Sequence, residues 1–367
     1  MDILCDKSLL SSAIDGVSRA VTLRSSIPVL EGILLKAEGF QLTLTGYDLE
    51  MAITTTIEAN VRQPGEVVLN ARLLGDMVRR MPAGEVSITV GSAGSATVKG
   101  GVAEYDIAAM AAGDFPTLPN PGADHTLSIQ AGVLREMIDK TLYAVSQDDK
   151  KPAHTGELFE IEPDRLTIVA LDGYRLAVVE RPVKAEKEIR IIVPAKTMAE
   201  VNKLVGEGEE EISISANRRF VVFAARGYTI LSRLIEGDFL AWRGVIPEGH
   251  KTRAVLDTRD FIETIERASL IITERLKNPL RITFGDKKVT VRCQTTLGKV
   301  VDEFEAGIEG DAVEIGFNNR YLLDALRNAR TDKIALELNG PLSPVKVLPA
   351  EGDSFAYLVL PVRFKND

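Results

Sequence analysis

The chain has 367 residues, 45% hydrophobic and 26% charged, which is the composition of a globular protein and is too long for one ordinary core. Its formal charge of −9, from 44 Lys and Arg against 53 Asp and Glu, excludes a protein that coats nucleic acid by bulk positive charge. No stretch has the roughly 18 apolar residues a membrane helix requires, and the opening MDILCDKSLLSSAI lacks the basic start and apolar run of a signal peptide, so a cytoplasmic location without membrane contact is expected.

Taken in order, Leu9, Leu10, Ala13, Ile14 and Val17 recur at helical spacing and predict a first helix. After a turn through Ser25, Ser26 and Pro28, ILLKAEGFQLTLTGYDLEMAI reads as β-hairpin, with alternation over 41–45 and a turn at Gly39. A helix over 72–80 follows, capped by Asn70, then strands near 86–90, 96–99 and 104–108 and a Pro/Gly linker, GDFPTLPNPG. The order then repeats. Val133, Leu134, Met137 and Ile138 predict a helix; RLTIVALDGYRLAVVE predicts a hairpin turning at Asp172-Gly173; a helix around Lys196 and strands over 211–215 and 220–224 lead to EGDFLAWRGVIP. A third pass begins near Arg253, with Phe261, Ile262 and Ile265 on a helix, strands LRITF and VTVRCQ shifted by about one residue, a helix around Arg320, and strands over 335–338, 345–348 and 355–360.

The repeat has a fixed period. VLNARLLGDMVRRM (68–81), IVPAKTMAEVNKLV (192–205) and GFNNRYLLDALRNA (316–329) align at 124 residues, as do Asp114-Phe115 and Asp238-Phe239. Arg72, Lys196 and Arg320 form one basic column, and Arg79, Lys203 and Arg327 form a second, nearly two helical turns later on the same face. Apolar columns (Leu74, Met198, Leu322; Met77, Val201, Ala325; Met81, Val205, Ala329) lie roughly 180° away. A single Lys or Arg on such a helix is an ordinary solvent-facing residue. At this composition, three basic residues in one column occur by chance roughly 0.2% of the time, which points to a need for positive charge at those places. Three α+β domains are therefore expected, at 1–122, 123–250 and 251–367, with sheets covering the apolar helix faces.

Domains of this size have a diameter of roughly 35 Å, so three in a closed ring leave a hole of only about 5 Å, whereas six leave about 35 Å, wide enough for a nucleic-acid duplex. Two chains meeting head to tail would close such a ring with the basic columns turned inward.

IPVLEGILL, LTGYDLEM, GDFPTLP, ALDGYRLAVV, IVPAK, EIGFNNRYLLDAL and YLVLPVRF, collinear over essentially the whole chain, resemble the bacterial replicative sliding clamp, the β subunit of DNA polymerase III. The resemblance implies three repeated DNA-clamp domains per chain, with helices lining the inside and antiparallel sheets the outside of a six-domain dimeric ring. It implies a homodimer that encircles double-stranded DNA without sequence preference and tethers the replicative DNA polymerase after an ATPase loader has opened it. Arg24, Gln147 and Tyr321 join the basic columns as DNA-facing residues on this reading. It also implies a hydrophobic groove for the peptide motifs of polymerase, loader and other clamp-binding proteins, formed by Leu171, Gly173, Tyr174, Arg175, Leu176, Leu240, Val245, Pro344, Val359, Leu360, Pro361, Val362 and Arg363. From the residues alone, these positions read more simply as a tight hairpin and a final core strand, and only the resemblance makes them a groove. Leu240, Gly244 and His154 depart from the residues common in clamps, which puts the shape and charge of the rim in question. The dimer contact implied is Tyr105 and Ile107 against Leu270 and Ile271, for which a core role is the alternative.

No P-loop, dinucleotide fingerprint, nucleophile elbow or metal spacing is present, and the histidines, His125, His154 and His250, stand alone, so neither catalysis nor a cofactor or metal is expected. Cys5 and Cys293 fit no redox or metal spacing and read as buried free thiols. A ring that binds only proteins is the competing function.

Overall fold

The computed structural model describes residues 1–22, 24–91, 94–122, 124–273 and 278–364. The first copy runs β1 (Asp2–Asp6), α1 (Lys7–Val17), β2 (Gly32–Glu38), β3 (Gln41–Tyr47), β4 (Met51–Glu58), β5 (Asn60–Gln63), β6 (Gly65–Asn70), α2 (Ala71–Arg80), β7 (Glu85–Val90), β8 (Ser95–Gly100) and β9 (Ala103–Ala108). The second runs β10 (His125–Gln130), α3 (Ala131–Thr141), β11 (Gly156–Glu162), β12 (Arg165–Leu171), β13 (Arg175–Pro182), β14 (Ile189–Pro194), α4 (Ala195–Leu204), β15 (Glu211–Ala216), β16 (Phe220–Ala225) and β17 (Tyr228–Arg233). The third runs β18 (Thr252–Asp257), α5 (Thr258–Ser269), β19 (Leu280–Gly285), β20 (Lys288–Thr295), β21 (Gly298–Glu305), β22 (Gly307–Gly310), β23 (Val313–Phe317), α6 (Asn319–Ala329), β24 (Lys333–Leu338), β25 (Val345–Pro349) and β26 (Ala356–Val359).

Strands run into helices through side-chain caps. The Asp6 carboxylate accepts from the N–H groups of Ser8 and Leu9, Asn70 from Leu73, Asp257 from Arg259 and Asp260, and Asn318 from Arg320, satisfying donors the first helical turn leaves open. All nine apolar-column residues are buried, as their spacing predicts. Leu9 is the exception to the first-helix pattern: it lies beside the Leu10–Ala13–Ile14–Val17 stripe and is exposed. No helix among the described residues is long and apolar enough to cross a membrane.

Two compact units result, Met1–Gly132 with Ala199–Leu234, and Val133–Met198 with Ile235–Asp367. The first holds an antiparallel sheet in the order β5-β1-β7-β8-β9 and another in the order β10-β15-β16-β17-β4-β3-β2-β6. The second sheet is continuous across two copies because β17 pairs with β4, in the register Ile230↔Ile53 and Leu231↔Ala52. Over that seam Val29, Leu30, Tyr47, Ala52, Val68, Phe115 and Leu231 form a cluster. The stretch expected as a mere linker thus contributes Phe115 to a core.

The second unit holds the orders β14-β11-β12-β13-β26-β25-β24-β18-β22 and β21-β20-β19-β23. Here β13 pairs with β26, in the register Ala177↔Tyr357 and Leu176↔Leu358. The equivalent cluster contains Leu158, Val169, Leu171, Leu176, Val178, Ile192, Phe239, Trp242 and Leu358. Both cysteines are buried and free. Burial pushes the Cys5 thiol up to about 12 and raises Cys293, so both stay protonated and unreactive.

Candidate nucleic-acid interface and partner groove

Arg72, Arg79, Lys196, Lys203, Arg320 and Arg327 are all exposed, on helices whose opposite sides are buried. The second column is held by acids. Arg79 reaches Asp15 on α1 at 3.0 Å and Asp76 at 3.2 Å, Lys203 reaches Glu200 at 2.8 Å, and Arg327 reaches Glu266 on α5 at 2.7 Å. Glu200 also receives Arg19 at 3.3 Å. In the first column Arg72 stands 4.0 Å from Asp76 with most of its side chain exposed. Arg24, Arg72 and Arg79 line one cavity of about 560 Å³ together with Asp15, Glu31 and Asp76. Gln147 is exposed in its loop.

Tyr321, expected among the DNA-facing residues, is half-buried on α6. Its ring stacks on Tyr174 at 5.4 Å and lies under the Arg175 guanidinium at 5.0 Å, so it meets residues assigned to the groove. That hairpin is built by Asp172, whose carboxylate accepts from the N–H groups of Tyr174 and Arg175, and by Gly173, whose φ of +90° suits glycine. Arg175 is fixed by Asp172 at 3.0 Å and Asp324 at 2.5 Å and lies over Tyr143, which holds Tyr174 at the open end of the turn.

The C-terminal strand meets this hairpin. Leu360 donates its N–H to the Tyr174 carbonyl at 2.9 Å, and Val362 donates to Gly316 at 2.8 Å. Tyr174, Leu240, Val245, Leu360 and Val362 are large apolar residues left exposed, 36% to 58% of each, whereas Leu171, Leu176 and Val359 are buried. Gly173 and Arg363 are exposed, and Pro344 and Pro361 are half-buried. A monomer seldom leaves several large apolar side chains open around one buried cluster unless something covers them.

Three residues beside the candidate groove were not assigned to it from the sequence. Phe239 and Trp242 belong to its buried cluster, and Glu160 accepts from Trp242 Nε1 at 3.3 Å and from Arg243 at 2.7 Å. The recurrence of Asp114-Phe115 at Asp238-Phe239 was the available signal, since each Phe closes the equivalent seam cluster. His154 meets Phe239 edge-on at 5.6 Å, and burial, aided by Lys151, lowers its pKa, so the imidazole is neutral at pH 7 and extends the apolar wall. Although Gly244 supplies no charge, Arg243 next to it lies over the Trp242 ring at 4.2 Å. The dimer candidates fall in different units: Tyr105 is exposed and Ile107 half-buried on β9, and Leu270 is 82% exposed beside a half-buried Ile271.

Models of the N-terminal, central and C-terminal domains of the DNA polymerase III beta subunit match residues 1–119, 128–240 and 243–363. The chain belongs to the bacterial β sliding clamp family. Relatives named beta sliding clamp include one from Halalkalibacterium halodurans, 31% identical with 99% of this chain and 100% of the relative covered, and one from Staphylococcus aureus, 28% identical with 99% of each covered. Among solved structures, the DNA polymerase sliding clamp of Bacillus subtilis matches with a TM-score of 0.96 at 28% identity over 100% of both chains. The DNA polymerase III subunit beta of Pseudomonas aeruginosa matches with 0.95 at 28% identity over 99% of this chain and 100% of that one. Like other clamps, the chain carries three clamp domains of mixed helix and sheet.

Proposed function

We propose that this DNA sliding clamp works as a head-to-tail homodimer that closes around duplex DNA, with clamp domains bounded at 1–122, 123–250 and 251–367. The replicative polymerase, the loader ATPase and other motif-bearing proteins dock in the groove around Tyr174, Leu240, Val245, Leu360 and Val362. The observation that carries the DNA reading is the pair of basic columns, exposed in all three copies opposite buried columns, on a chain whose net charge is negative. Such a surface attracts phosphate only where the columns lie.

The acid partners set the strength of that attraction. A phosphate that approaches Arg79, Lys203 or Arg327 competes with a carboxylate already within 3.2 Å, so each contact is weak and exchanges readily. Phosphate contacts carry no sequence information, so the duplex is centred without being held at any position, and enclosure supplies retention. The family is a non-catalytic scaffold, and the chain's part is to bind and to position.

The test is Lys196→Glu with Arg320→Glu, assayed by duplex binding against salt concentration, with solution mass measured alongside. Weakened duplex contact and a shallower salt dependence at unchanged mass are expected. Unchanged salt-dependent binding would overturn the DNA-facing assignment and favour a protein-only scaffold ring.

A further inference from the structure

Next to the apolar residues of the candidate groove, the outer sheet changes character within one pair of residues. On β11 and β14, Leu158 stands opposite Ile192, and Glu160 stands opposite Arg190 two residues further along. Side chains two apart share a face, so the row that gives Leu158 and Ile192 to the buried cluster is followed, about 7 Å on, by a charged row. Trp242 belongs to the same cluster and opens a single 3-10 turn, Trp242–Val245, which sets Arg243 between the exposed Leu240 and Val245.

One carboxylate organises two guanidinium groups there. One oxygen of Glu160 accepts from Arg243 at 2.7 Å and from Trp242 Nε1 at 3.3 Å, and the other lies 3.4 Å from Arg190 Nε. Arg243 is restrained a second time, by the Trp242 ring at 4.2 Å. Glu160 is nearly enclosed, whereas Arg190 and Arg243 are each about half exposed, so both keep N–H donors open to solvent. The local sum is two cations against one anion. Glu162 and Glu180, on the same face, pair instead with Arg165, at 2.5 Å and 3.9 Å.

We infer that Arg190 and Arg243 form an acid-reading rim of the groove: a partner segment that lays apolar side chains on Leu240 and Val245 sets an aspartate or glutamate, within about two residues of its last apolar anchor, against these two guanidiniums. This rests on the groove proposed above and names the chemistry of its occupant. The spacing follows from the strands, since an extended segment rises about 3.3 Å per residue and covers the 7 Å between the rows in two. Because Glu160 and Trp242 already order the arginines, docking an acid on them costs little further side-chain entropy. The adjoining apolar residues favour a peptide over a phosphate backbone, which would leave them uncovered. On a chain of net charge −9, most of the surface repels acidic segments, so a local excess of positive charge beside the apolar anchors also selects where such a segment lands.

Fluorescence anisotropy tests this with a labelled polymerase-motif peptide made in two forms, flanked on each side by two aspartates or by two asparagines. The wild type is expected to bind the aspartate form about three- to tenfold more tightly at low salt, with the preference shrinking as salt is raised. Arg190→Gln combined with Arg243→Gln is expected to abolish the preference while leaving the affinity for the asparagine form within a few-fold. The ratio between the two peptides is the readout, because a general loss of groove structure weakens both alike. No preference in the wild type, or one that survives the double substitution, would overturn the rim and leave the groove standing. Failure of the wild type to bind either form would remove the groove itself, and the rim with it.

Discussion

Glu157 lies fully buried on β11, and desolvation raises its pKa from 4.5 to about 8 against a smaller opposing effect of Thr141. One carboxylate oxygen sits 2.5 Å from Thr141 Oγ1, which is also 2.8 Å from the Met137 carbonyl; the other oxygen has no hydrogen-bond partner among the described residues. A protonated carboxyl resolves the proton count, donating to Thr141 while Thr141 donates to Met137. Because the folded-state pKa is raised, the stability associated with this group is complete below pH 4.5, declines as pH rises, and is lost once pH passes about 8. The slope is about 1.4 kcal/mol per pH unit, saturating near 5 kcal/mol. Glu157→Gln keeps the shape and a donor toward Thr141 and does not titrate. Urea unfolding of both proteins at pH 6, 7, 8 and 9 should show the wild type losing stability relative to the variant at that slope up to pH 8 and levelling above it. A difference between the two that does not vary with pH would refute the neutral-carboxyl account.

Ending the chain after Val359 should abolish binding of a polymerase-motif peptide, read by fluorescence anisotropy, with the sedimentation mass unchanged; retained affinity would remove the groove assignment. Gly316→Ala would drive a Cβ to 2.3 Å from the Val362 carbonyl, so a loss of about 1 to 3 kcal/mol in urea unfolding is expected, together with weaker peptide binding as the terminal segment lifts. Asp15→Asn frees Arg79 from its nearest acid and should tighten duplex binding several-fold and steepen its salt slope by up to about 0.9; an unchanged slope would mean that Arg79 does not meet phosphate.

The helices were legible because burial on one side imposes the period of the helix on the sequence: Leu74, Met77 and Met81 declare a face, and their counterparts repeat it. β21 was not anticipated, since GKVVDEFE carries charges at 299, 302, 303 and 305 and packs only one side of an edge strand, where alternation has little to record. β17 went unremarked for another reason: its partner, β4, lies more than 170 residues away and no local pattern announces the pairing. The groove residues came from family likeness, and the support beneath them depends on contacts distant in sequence, Trp242 with Glu160 and Tyr321 with Tyr174. Glu157 sits in GELFEIE, where an acid between apolar residues reads as the solvent side of a strand; only Thr141 and the surrounding packing reveal otherwise.

The place of β26 in the middle of the nine-stranded sheet has a consequence for biosynthesis. Its neighbour β13 is complete at Pro182, yet the strand that covers it begins at Ala356. At about 5 to 20 residues per second the ribosome takes roughly 10 to 35 seconds to bridge that interval. Throughout it the apolar run Leu176–Ala177–Val178–Val179 presents an unpaired backbone edge, the kind of surface on which nascent chains aggregate. Ribosome-associated chaperones therefore have a defined client here, and a pause between these two strands would lengthen its exposure.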